Sequence, residues 1–210
     1  MSEGRLIAVG DIHGRDDKLS SLLEKLSPQK EDTFVFLGDY IDRGNYSRHV
    51  VNRVINLSKI CHCEFLLGNH EYFMLQMFKG EKTSEFFFMT YGGKQTIESY
   101  GGLENIMNTH GDFFNSLKLY YETDKFFFVH GGVNPQKKLE EQEIMDFVMI
   151  REHFIDFPHN LKGKKVIFGH TPFSEPLIKE DKIGIDTGCG KFEDAKLTAY
   201  ICNTNEFVQV

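Results

Sequence analysis

Tryptophan is absent from this 210-residue chain, and cysteine and proline are scarce at four and five residues. Cys61, Cys63, Cys189 and Cys202 have neither the spacing of a disulfide framework nor that of a zinc finger. Cys61-His62-Cys63 stands at the entry of an apolar run and reads as strand residues. No segment approaches the roughly 18–20 apolar residues of a membrane span. Met1 to Arg5 carries no apolar stretch of the signal-peptide kind. These absences read as a cytoplasmic protein with no membrane partner. A basic excess is missing too: the formal net charge is −7. The densest lysine cluster, Lys162-Gly163-Lys164-Lys165, reads as a solvated turn, so no nucleic-acid partner is expected.

What is present fits a globular chain. Apolar residues make up 40% and charged residues 26%, enough to bury a core in one domain spanning residues 1–210. Twenty Phe and eight Tyr fill core and groove. Leu6 to Val9, Phe34 to Leu37 and Phe65 to Leu67 are short apolar runs that predict strands. Between them, Leu19, Leu22, Leu23 and Leu26, and then Val50, Val51, Val54 and Ile55, repeat at helical spacing. Pro28 marks the exit of the first helix. This β-α-β-α-β order predicts parallel strands with ligands gathered at their carboxyl ends. From about residue 71 to 121 the pattern predicts short helices with sharp turns at Gly92-Gly93 and Gly101-Gly102, forming a helical cap near the site. Strands return at Phe126 to Val129, Val166 to Phe168 and Ile183 to Ile185. A hairpin around Asn203-Thr204-Asn205 ends the chain.

Five islands carry the chemistry: Gly10-Asp11-Ile12-His13-Gly14, Gly38-Asp39-Tyr40-Ile41-Asp42-Arg43-Gly44, Gly68-Asn69-His70-Glu71, His130-Gly131-Gly132 and Gly169-His170-Thr171. Paired hard or borderline cations take this mixture of carboxylate, amide and imidazole donors. Asp39, ending the central strand of the first unit, is the candidate bridge between two divalent ions. Asp11 and His13, two residues apart, face one ion with it; Asn69, His130 and His170 complete the shell of the other. Two divalent ions against only two carboxylates leave the site positive, as a phosphoryl dianion requires. His70 is placed to protonate a leaving oxygen, and Asp42 to orient its imidazole.

Together these islands resemble the phosphoprotein-phosphatase family of calcineurin-like metallophosphoesterases, most closely its small bacterial and phage-type members. The likeness runs from Leu6 to about Leu197, with the motifs in the family's order. It implies an α/β sandwich of two mixed sheets flanked by helices, four layers in the order α/β/β/α. It also implies Asp11, His13 and Asp39 on one metal, and Asp39, Asn69, His130 and His170 on the other. Manganese is the implied activating ion, with iron, zinc or cobalt permitted by the donors. Arg43 and Arg151 correspond to the family's phosphate-clamping arginines, since a guanidinium fork holds two phosphate oxygens at once. Asp186-Thr187-Gly188 resembles its closing motif, a structural turn. The broader superfamily often has a second His two residues after the one in the last motif; here that position is Pro172.

The implied activity is hydrolysis of phosphorylated Ser or Thr, and also Tyr, in a protein or peptide. A metal-bridging hydroxide would attack phosphorus directly, with no phosphoenzyme. The rival reading is symmetrical hydrolysis of dinucleoside tetraphosphates to two ADP. Members of that kind tend to lack the Asp-Arg-Gly found at residues 42–44 and to carry Asp where this chain has Glu71.

Overall fold

The structure, a computed structural model, describes residues 4–210. β1 (Leu6–Val9), β2 (Thr33–Phe36) and β3 (His62–Phe65) lie parallel with β2 in the middle. α1 (Asp16–Leu26) and α2 (Ser47–Leu57) connect them. Leu19, Leu22 and Leu26 bury one stripe of α1, and Ser27 in the left-handed region ends the helix just before Pro28. Four helices follow: α3 (Asn69–Phe78), α4 (Lys82–Thr90), α5 (Gly93–Tyr100) and α6 (Leu103–Asn115).

The second sheet holds β4 (Tyr120–Glu122), β5 (Phe126–Val129), β6 (Lys165–Phe168), β7 (Leu177–Ile178) and β8 (Lys182–Gly184), in the order β4-β5-β6-β8-β7. α7 (Ile144–Met149) and α8 (Glu152–Ile155) are inserted between β5 and β6. The hairpin of β9 (Thr198–Ile201) and β10 (Glu206–Gln209) returns to the first sheet, which runs β10-β9-β1-β2-β3. Both sheets therefore mix parallel and antiparallel pairs.

Strand periodicity explains the layering. Ala8, Val35, Phe128 and Ile167 pack in one core between the sheets. Their neighbours Ile7, Val9, Phe34 and Phe36 face the opposite way, into a second core under α1, α2 and α3 to α6. On the far sheet Phe127, Val129, Val166 and Phe168 do the same under α7 and α8. Side chains alternate faces along a strand, so uninterrupted apolar tetrads are what a strand covered on both sides needs. The helix-sheet-sheet-helix arrangement expected from the sequence is the one observed.

Four strand predictions shift; β2 and β6 merely begin one residue earlier than expected, at Thr33 and Lys165. The third strand of the first sheet is His62–Phe65, not residues 65–67. It is the edge strand, so exposed His62 and polar Glu64 are tolerated there. The apolar run marks where the chain leaves the edge: Leu66 packs between the sheets and bridges Lys118, and Leu67 enters the far core. β8 begins one residue earlier than predicted, at Lys182. That side chain is buried, and its ammonium donates to the carbonyls of Phe154 and Phe157, both at 2.6 Å.

Candidate active site

The candidate residues lie in the loops that follow the strands. Asp11 and His13 follow β1; Asp39, Asp42 and Arg43 follow β2; His130 follows β5 and His170 follows β6. Asn69 and His70 open α3, and Arg151 precedes α8. Of the seven non-glycine residues with positive φ among those described, five are His13, Asp39, Asp42, Arg43 and His170. Side-chain-bearing residues avoid this region unless the surroundings hold them there. Strained backbone is therefore concentrated at this one place.

Asp39 is the hub. Its carboxylate lies 3.5 Å from His13 Nε2, 3.5 Å from His130 Nε2 and 3.8 Å from His70 Nε2. Two triads share it, His13–Asp39–His70 and Asp39–His130–His170, each with its potential ligand atoms within 4.8 Å of one another. Asn69 Oδ1 lies 3.0 Å from His130 Nε2. The carboxylate of Asp11 belongs to neither triad; both its oxygens accept the His170 backbone N–H, at 3.1 and 3.2 Å. The first triad includes His70, while Asp11 lies beside the cluster against the His170 backbone. The other five expected ligands converge.

The tautomers make this convergence informative. His13 Nδ1 donates to the Ile41 carbonyl at 3.0 Å, and His130 Nδ1 donates to Leu37 at 2.9 Å. Each Nε2 then carries a lone pair aimed at oxygens that also only accept. His170 Nε2 is buried with no hydrogen-bond partner among the described residues. A cluster of converging lone pairs is unfavourable when empty and is the donor set that divalent cations take. The residues present therefore fit a pair of metal ions sharing Asp39.

Electrostatics point the same way. Burial holds the His13, His130 and His170 imidazoles below their ordinary values, helped by His70 at His13, His70 and Arg151 at His130, and Arg151 at His170. Neutral imidazoles are the ones that bind metals. Burial alone would raise the Asp39 carboxyl, yet the surrounding rings of His130, His70, His13 and His170 keep it below the usual carboxylate range. Burial, with Asp186 and Asp39 nearby, raises Asp11. Asp186 itself accepts the Gly188 N–H at 2.8 Å, forming the expected structural turn.

His70 is held differently. Its Nδ1 is 2.7 Å from Asp42 Oδ2, and Arg43 Nη2 is 3.2 Å from its Nε2. A guanidinium only donates, so in this geometry Nε2 accepts and Nδ1 carries the proton. Burial lowers the imidazole, but Asp39 and Asp42 more than offset it and raise its pKa above the ordinary value. Proton uptake at Nε2 and the Arg43 contact exclude one another. The guanidinium has to turn away before this ring can carry a proton on that side.

Glu71 is the residue that sequence reading passed over, noting it only as a family difference. Fully buried, its carboxylate accepts the N–H groups of Tyr40 (2.8 Å), Asp39 (2.9 Å), Ile41 (3.2 Å) and Gly68 (3.2 Å). Burial pushes the carboxyl up to about 8. The four aimed donors nevertheless select the carboxylate, because a protonated carboxyl would turn its own O–H against one of them. Gly68 completes the contact, since a Cβ there would collide with the Asp39 carboxylate and backbone nitrogen. Glu71 thus ties the loop bearing Asp39 to the start of α3. Its position as the third residue of a helix following Gly is the signal that reveals it. Glu71→Ala leaves four buried donors without a partner. At ~1–3 kcal/mol each the loss is about 4 kcal/mol or more, which lowers the melting temperature of a chain this size by roughly 8–16 °C. A thermal melt by circular dichroism checks it; a shift under ~3 °C would remove the brace.

A cavity of about 610 Å³ opens over the site, lined by Arg43, Asn69, His70, Arg151 and His170. Both expected arginines therefore face it. Lys191 adds a third cation that the sequence gave no reason to single out. Burial, with Arg43 and Arg151 nearby, lowers its ammonium pKa. From α4, α5 and the turn between them come Phe87, Tyr91 and Gln95. The rings of Phe73, Phe87 and Tyr91 form a stack along this wall, at 4.9 and 6.0 Å between successive centroids. Helices α3, α4 and α6 also roof the first sheet, through Phe73, Met74, Phe88 and Phe113. His110 and His159 serve structure elsewhere, bonding Tyr100 and the Asp181 carbonyl.

Comparison with known proteins agrees with this geometry. The bis(5'-nucleosyl)-tetraphosphatase PrpE [asymmetrical] of Oceanobacillus iheyensis is 29% identical, over 96% of this chain and 90% of its own length. The serine/threonine-protein phosphatase PP2A-like PPG1 of Candida albicans is 30% identical over 96% of this chain, which spans only 44% of that protein. The cold-active protein-tyrosine phosphatase of a Shewanella species superposes with a TM-score of 0.69 at 16% identity, covering 99% of this chain and 78% of its own; that likeness shows the fold. The family model of calcineurin-like phosphoesterases matches residues 4–210, the span that carries both sheets and every one of the converging donors. With that match, the chain belongs to the calcineurin-like phosphoesterase family.

Proposed function

We propose that this metallophosphoesterase hydrolyses phosphomonoesters on Ser or Thr, and also Tyr, of a protein or peptide. The observation that carries the chemistry is the convergence of the His13, His130 and His170 lone pairs on Asp39, beside His70 and two arginines. Asp11, His13, Asp39, Asn69, His130 and His170 would hold two divalent ions, manganese first among them. Such a pair supplies an acidified water and charge neutralisation for an in-line displacement.

The protein's own groups do the rest. Arg43 and Arg151 clamp phosphoryl oxygens and fix the ester in the cavity. Turning to the phosphoryl group takes Arg43 off His70 Nε2, which leaves that nitrogen able to carry the proton. His70 then delivers it to the departing oxygen, with Asp42 holding the other ring nitrogen. Water displaces the alcohol in one step, because no cysteine is available as a nucleophile. The nearest, Cys189, is buried, donates to the Ile12 carbonyl, and has its thiol pushed up to about 12 by burial. No helix among the described residues is long and apolar enough to cross a membrane.

A second reading, cleavage of dinucleoside polyphosphates, is favoured by Lys191. Three cations and an aromatic wall exceed what one phosphomonoester needs. The PrpE likeness, spanning nearly both full lengths, supports it as well. The rival drawn from the sequence expected ADP alone, whereas that relative's name specifies asymmetrical cleavage, so unequal products are the outcome to look for. The deciding experiment compares kcat/KM of manganese-loaded protein on a phosphoserine peptide and on diadenosine tetraphosphate. A strong preference for the peptide is expected. Preference for the dinucleotide would keep the site and replace the substrate.

A further inference from the structure

Asp42 offers its two carboxylate oxygens to different partners. Oδ2 holds His70 Nδ1 at 2.7 Å, and Oδ1 accepts the hydroxyl of Thr96 at 2.6 Å. Thr96 is fully buried and belongs to α5, fifty-four residues further along the chain. Its Oγ1 also accepts the Asp42 backbone N–H at 2.8 Å and lies 3.1 Å from Ser47 Oγ. A hydroxyl has one proton and two lone pairs. The Thr96 proton is committed to Asp42, so Ser47 donates to Thr96, and the hydroxyl's capacity is filled.

The same corner of the cap grips the next residue. Arg43 N–H donates to the Gly92 carbonyl at 3.3 Å. Gly92 has φ 109°, and a Cβ there would collide with the Arg43 backbone nitrogen. Asp42 and Arg43 are consecutive residues with positive φ, at 70° and 64°. A turn of two left-handed, side-chain-bearing residues needs outside support, and the α4–α5 junction supplies it from above.

We propose that Thr96 is a positioning residue: it fixes the rotation of the Asp42 carboxylate and, through it, the His70 imidazole. The seat of the cap on the core then sets whether the proton donor is aligned. This rests on His70 acting as general acid, and the test separates the two ideas. A partner that orients a catalytic imidazole through its carboxylate changes turnover, not substrate capture.

Thr96→Val removes the hydroxyl at nearly the same volume; Thr96→Ser keeps it. Both are compared, manganese-loaded, with His70→Asn on an alkyl phosphate monoester and on p-nitrophenyl phosphate, whose leaving group hardly needs a proton. Thr96→Val is expected to lower kcat on the alkyl ester by ~10–100-fold, with KM within about twofold and a loss under about threefold on the aryl ester. Thr96→Ser restores turnover to within about threefold of the parent. In the His70→Asn background, Thr96→Val costs nothing further.

Equal losses on both esters for Thr96→Val, or a further loss in the His70→Asn background, would overturn the proposal. If His70→Asn itself shows equal losses, the general-acid reading falls, and the Thr96 proposal falls with it. If His70→Asn discriminates between the esters and Thr96→Val does not, only the Thr96 proposal fails. Should Thr96→Val not fold, Thr96→Cys, of similar size and with a weak donor, carries the same comparison and must still lose more on the alkyl ester.

Discussion

Replacing His70 by Asn is expected to lower turnover on a phosphoserine peptide by ~10²–10⁴ while both metals stay bound. The reason lies in the two ends of the ring. Nδ1 is committed to Asp42 Oδ2, so only Nε2 faces the cavity, where Arg43 reaches it. An alkoxide leaving group requires a proton at that position, and Asn provides no titrating atom there. On an aryl phosphate the loss should be much smaller. Metal content, measured by plasma mass spectrometry on the same sample, is the second readout. His70 Nε2 lies within reach of Asp39 and His13, so a variant that loses a metal along with turnover would make His70 a ligand. Equal losses on both esters with metal retained would remove the general acid.

Asp39→Asn is expected to take metal and activity together. Asp39 is the one residue shared by the two triads, and its carboxylate is the only negative charge in either. An amide can still accept the His70 backbone N–H that Asp39 Oδ1 holds at 3.1 Å, so the loop need not collapse. What is lost is an anionic oxygen able to face two cations at once, which neutral donors replace poorly. Bound manganese should fall below one equivalent per chain, and turnover should fall at least as far as in His70→Asn, by ~10²–10⁴ or more. A fully loaded, active variant would exclude Asp39 as the bridge. Compared metal-free, so that bound ions do not themselves raise the parent's curve, Asp39→Asn is expected to melt like the parent and Glu71→Ala below it, which separates loss of the ligand from loss of the loop.

Much of this was legible in the chain itself. Apolar tetrads such as Leu6 to Val9 and Phe34 to Leu37 named the buried strands, because a strand covered on both faces has no polar residue to spare. Glycine beside Asp, Asn or His named the loops after them, because those turns use backbone that few other residues adopt. The sequence thereby determined the α/β plan, the metal-dependent phosphoesterase family and nearly all of the converging donors.

Tertiary structure alone decided the rest. Packing of one sheet on the other sets Asp11 against the His170 backbone, and within the first sheet the chain segments after β2 and β3 bring His70 beside Asp39. The brace of Glu71 depends on four N–H groups converging from two loops, which no periodicity records. Thr96 reaches Asp42 across fifty-four residues, and Lys191 enters the cavity from the far end of the chain. Local sequence carries local propensity, and these contacts are between segments that only a packed core holds together.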